Sequence, residues 1–101
     1  MVVINARFLT QKMTGVQRYA FEICNRLPSR IGKHKIIFVA PKTKIINKLD
    51  KDVEILFIGK FQGQLWEQIS LPAFLRKKKS PILINFVGVA PIFYKNKIMF
   101  L

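Results

Sequence analysis

The 101-residue chain has one cysteine, Cys24, and one histidine, His34. That scarcity excludes an internal disulfide scaffold and argues against a cysteine–histidine metal site. Acidic residues are also few: 5 Asp plus Glu stand against 18 Lys plus Arg, a formal charge of +13. Glu22, Asp50, Asp52, Glu54 and Glu67 suggest no acid/base pair, so no catalytic residue is assigned from the sequence. Neither a Walker loop nor a Gly-x-Gly-x-x-Gly fingerprint is present, and no nucleotide site follows from motif alone. The longest uncharged run, Ser80 to Tyr94, has 15 residues and contains Pro81 and Pro91. A spanning helix needs about 20 apolar residues. No charged segment precedes the apolar N-terminus, and Arg7 interrupts it, which argues against a secretory signal. The expectation is a soluble protein of a reducing cytoplasm.

Half of the residues are hydrophobic, which excludes a basic disordered tail. Short apolar runs alternate with longer amphipathic ones. Val2–Ile4 reads as a buried strand and Asn5–Met13 as a loop. From Thr14 the period becomes helical, with Val16, Tyr19, Ala20, Ile23 and Leu27 on one stripe. Thr14 and Gln17 form a Thr-x-x-Gln capping box, and Pro28 ends the helix after Leu27. Lys35–Ala40 and Val53–Ile58 read as strands, the second closed by Gly59, with a short helix between them over Lys42–Leu49. Gln64–Lys79 reads as a second long helix, kinked or split by Pro72. Ile82–Phe86 and Lys97–Leu101 complete a set of five strands.

Near-continuous apolar strands separated by helices predict an α/β fold, a Rossmann-like doubly wound parallel sheet of order 3-2-1-4-5. The last strand is apolar and has no helix after it, which suggests an incomplete domain. Ligands of such sheets bind beyond the strand carboxyl ends, where the strand order reverses. Here the loop Asn5–Gly15 would face the segment Asn85–Pro91. Gly15 opens the first helix, so its free N–H groups and positive dipole end suit a phosphate or another anion. Lys12, Arg18 and Arg7 would supply cations, and the alternative is that Thr14-Gly15 is a plain helix cap.

The segments Asn5-Ala-Arg-Phe-Leu-Thr10, Thr14-Gly-Val-Gln-Arg-Tyr19, Leu65-Trp-Glu-Gln-Ile-Ser-Leu-Pro72, Asn85 and Ala90-Pro91 resemble, in order and spacing, the opening of family 4 glycosyltransferases of the GT-B fold. The resemblance runs over essentially the whole chain. It implies that residues 1–101 are a single, incomplete, acceptor-side N-terminal lobe. The implied enzyme moves a sugar from a nucleotide-sugar to a glycan or lipid-linked acceptor with retention of configuration, as in polysaccharide biosynthesis. It implies no metal or other cofactor, the nucleotide-sugar being a substrate, and it places Gly15 near the donor's phosphates. Thr14, Lys12, Arg18 and Asn85 would line the same cleft. The family's His-Asp pair and Glu-x7-Glu motif do not occur in the 101 residues, so the chain alone is expected to be inactive.

Trp66 reads as core, with an acceptor-pocket role as the alternative. Cys24 reads as an inert buried thiol and His34 as a surface loop residue, while Asn85 and Gly88 serve either ligand or turn. The run Arg76, Lys77, Lys78, Lys79 is a solvated helix end or a contact for the inner face of an anionic membrane. The alternative to a glycosyltransferase is a free-standing basic α/β module that docks on nucleic acid or acidic lipid. The cations are scattered and no nucleic-acid motif is visible, so nucleic acid is not the expected partner.

Overall fold

The computed structural model describes residues 1–28, 30–50, 53–86 and 94–99. Its strands are β1 (Val2–Asn5), β2 (Arg30–Ile31), β3 (His34–Pro41), β4 (Ile55–Ile58), β5 (Ile82–Asn85) and β6 (Lys97–Met99). Five of them form a parallel sheet in the spatial order β4-β3-β1-β5-β6, and β2 pairs antiparallel with the start of β3. Numbered among the parallel strands alone, the order is the expected 3-2-1-4-5. The helices are α1 (Gly15–Arg26), then α2 (Gly63–Leu65), a π-helical turn (Trp66–Ser70) and α3 (Leu71–Lys77) in unbroken succession.

Strand side chains alternate between the two sheet faces, and each face carries its own core. Val2, Ile4, Ile36, Phe38 and Ala40 pack with Ala20 and Cys24 of α1. Val3, Val39 and Leu83 pack with Trp66, Leu71 and Leu75 on the other face. The sheet is therefore covered on both sides, as a doubly wound fold requires. Cys24 is buried, as expected of an inert thiol.

Several local expectations need correction. Ala20, Ile23 and Leu27 of the predicted α1 stripe pack on the core, closest at the small residues Ala20 and Cys24, while Val16 and Tyr19 are 56% and 50% exposed. Lys42–Leu49 is not helical. The Leu9 carbonyl accepts the Ile46 and Asn47 N–H groups (2.9 and 3.1 Å), which removes them from any local helix. Lys44 and Lys48 would also repel at helical spacing. Ile45 and Leu49 instead pack on the α1-side core. His34 is not in a loop but starts β3, after a two-residue turn in which Gly32 takes φ +61°. It is exposed, as a surface residue should be. The Asn5–Met13 segment contains a 3-10 turn over Arg7–Thr10.

Pro72 does not divide the second long helix into two bodies. The disturbance lies upstream, in the π-helical turn, where the Leu71 N–H reaches Trp66 O five residues back. The wider turn carries the chain past a residue with no N–H to donate. Gly59 lets this helical run close on β4: its φ is +79°, and a Cβ there would stand 2.4 Å from Ser70 Cβ. No side chain fits in that space.

Candidate functional site

The switch point lies between β1 and β5, whose register pairs Val3 with Leu83 and Ile4 with Ile84. The next rung brings Asn5 and Asn85 together, on the same face as Val3 and Leu83. Both are 1% exposed. Two amides buried at adjacent strand ends need partners, and the π-helical turn supplies one in the fully buried Glu67.

Asn5 Nδ2 donates to Glu67 Oε2 at 2.9 Å and to Asn85 Oδ1 at 2.6 Å, while Asn5 Oδ1 accepts the Arg7 N–H at 3.1 Å. That uses both amide hydrogens and the carbonyl oxygen of Asn5. Arg7 Nη1 donates to Glu67 Oε1 at 2.9 Å, an ion pair whose cation is 20% exposed and whose anion is fully buried. Residues separated by up to 80 positions thus form one hydrogen-bonded unit at the ligand-facing edge of the sheet. Ala6 N–H donates to Val39 O at 2.8 Å and anchors the loop just before Arg7. Trp66 sits beside the cluster in the core, its Nε1–H donating to Ile58 O at 3.0 Å. The core reading of Trp66 holds.

The head of α1 is built differently. Thr14 is its N-cap, but the predicted capping box does not form, because no side chain accepts from the first amides. The Thr14 hydroxyl donates to Gln17 Oε1 instead, and Gln17 Nε2 donates to Gln11 Oε1 at 3.2 Å. The first backbone bond of the helix runs from Arg18 N–H to Thr14 O at 2.9 Å. Lys12, Thr14, Gly15 and Arg18 are all exposed, and a Cβ on Gly15 would meet nothing within 4 Å. This head presents free N–H groups and two cations to solvent, a combination that attracts anions.

The predicted site residues are therefore divided. Lys12, Thr14, Gly15 and Arg18 cluster at the head of α1, which packs on the Val2 and Ile4 face. Asn85 is buried on the opposite face, against Asn5. Arg7 is committed to Glu67. Gly88, Ala90 and Pro91 lie outside the described residues. Sequence reasoning missed the roles of Asn5 and Glu67. The available signal was an asparagine at each of two strand ends flanking the switch point, together with one carboxylate inside an apolar helical run. Among the described residues no group of three His, Cys, Asp or Glu is arranged to hold a metal ion, and no helix is long and apolar enough to cross a membrane.

An open groove of about 340 Å³ lies between the end of β4 and the helical run, lined by Phe61, Ile69 and Phe74 with Lys60 and Lys77. Arg76, Lys77, Lys78 and Lys79 are all exposed at the end of α3. Comparison with protein-family models, curated proteins and solved structures gives no match.

Proposed function

We propose that the chain is the acceptor-side half of a retaining glycosyltransferase that takes its sugar from a nucleotide-sugar and uses no metal. The observation that carries the reading is convergence. Three of the five segments that carry the family resemblance, through Asn5 and Arg7, Glu67 and Asn85, meet in one hydrogen-bonded cluster at the carboxyl edge of β1 and β5. Beside that edge, the uncapped head of α1 offers N–H groups to the donor's diphosphate. Charge develops on that diphosphate as the glycosidic bond to it breaks, and fixed N–H donors with Lys12 and Arg18 would stabilise it. The sugar and base would be gripped by a second lobe, whose Glu-x7-Glu pair lies outside these residues.

Gly15→Asp separates helix stability from phosphate binding. The position is exposed and open, and an acid at the first helical residue favours the dipole, so the unliganded Tm should stay level or rise slightly. Uridine or guanosine diphosphate should raise the Tm of the wild-type chain and leave that of the variant unchanged. Equal shifts in both proteins, or none in the wild type, contradict the reading.

The exposed Arg76–Lys79 run, next to an apolar groove flanked by Lys60 and Lys77, favours a peripheral contact with anionic membrane in addition. Exposed basic residues near such a surface contribute about 1 kcal/mol each. Sedimentation with phosphatidylserine vesicles should fall sharply when Arg76, Lys77, Lys78 and Lys79 are replaced by glutamine. Unchanged sedimentation rules the contact out.

A further inference from the structure

We infer that Arg7 is a preformed receptor for an oxyanion, a phosphoryl or carboxylate group, at the carboxyl edge of β1 on the face opposite α1. The inference rests on the geometry of the buried cluster and not on glycosyl transfer. The protein holds Arg7 at three points. Its N–H donates to Asn5 Oδ1 at 3.1 Å, its C=O accepts from Thr10 Oγ1 at 2.6 Å, and its Nη1 donates to Glu67 Oε1 at 2.9 Å. What remains is the Nε/Nη2 edge of the guanidinium, the planar fork that matches two oxygens of a carboxylate or phosphate. Among the described residues that edge has no acceptor. Gly63 lies beside it, and a Cβ there would make only ordinary contact, 3.9 Å from Nη2. The Arg7 side chain is 20% exposed, while the carboxylate that anchors it is fully buried.

A buried ion pair is a poor device for stability alone, since apolar side chains of similar volume usually serve as well. This one sets a fully buried carboxylate, itself held by Asn5, against one guanidinium. Such an investment suits a group that must be held in one orientation. Because Glu67 already balances its charge, recognition would rest on hydrogen-bond geometry rather than on net charge. Oxyanions should therefore bind and chloride should not.

The test follows the Arg7 side-chain Nε–H signal by NMR during titration with inorganic phosphate, acetate or chloride at constant ionic strength. A saturable shift with phosphate or acetate and none with chloride is expected, and the tighter anion identifies the source. Arg7→Lys keeps the charge but loses the fork, and the shifts at the Phe8 and Gly63 amides should then need about tenfold more anion. Glu67→Gln, if it folds, should weaken binding similarly by releasing the anchor. No saturable shift at Arg7, or equal affinity in Arg7→Lys, overturns the inference and leaves the pair purely structural. Shifts confined to the Gly15–Arg18 amides would overturn it while leaving the glycosyltransferase reading intact.

Discussion

Replacing Arg7 by alanine should destabilise the chain by about 3 kcal/mol, the low end of what breaking a buried ion pair costs. The loss comes from Glu67, whose fully buried carboxylate would lose the guanidinium that balances its charge. The low end applies because Arg7 is 20% exposed, so its vacated place admits water to that carboxylate. For a domain of this size the matching fall in Tm is about 10 °C or more. Neutralising Glu67 as well should restore much of the loss. In an Arg7→Ala, Glu67→Gln double variant the introduced glutamine still accepts from Asn5 and carries no charge to desolvate. Denaturant unfolding of the wild type, the two single variants and the double variant closes the cycle. If Arg7→Ala costs less than about 1 kcal/mol, the pair behaves as an ordinary surface salt bridge and the cluster is not a fixed unit.

Trp66→Ala should be at least as damaging, in the range of about 3–5 kcal/mol for an aromatic removed from a core. Trp66 is fully buried among Val3, Val39, Leu71 and Leu75, and its indole N–H satisfies Ile58 O on β4. The truncation leaves a cavity and removes that hydrogen bond. Trp66→Phe keeps most of the volume and loses the hydrogen bond, so it should cost much less. The comparison by thermal unfolding separates packing from hydrogen bonding. Similar losses in both variants would mean that the N–H bond, not the indole's bulk, dominates.

The alternation of apolar strands with amphipathic helices was enough to read the sheet order and both helical regions from the chain. Pattern fails where tertiary bonds override local preference. The Lys42–Leu49 segment has helical spacing, but its Ile46 and Asn47 N–H groups are taken by the Leu9 carbonyl. The capping box at Thr14 is present in the sequence, yet its side chains bond to each other rather than to the helix. Val16 and Tyr19 fit the stripe of α1 by period, and a closer approach through Ala20 and Cys24 leaves them outside. The exposed half of the candidate site was legible because a glycine opening a helix and nearby cations are local features. The buried half was not, because Asn5, Glu67 and Asn85 acquire meaning only from strand register and from the π-helical turn that lowers Glu67 onto the sheet.

The most direct test of the central claim is a backbone 15N spectrum of the whole chain, recorded as a nucleoside diphosphate is added. The account predicts saturable shifts at the Thr14, Gly15, Val16, Gln17 and Arg18 amides, with the central strands unmoved. Shifts absent from those five amides, or spread evenly over all exposed basic segments, would contradict it.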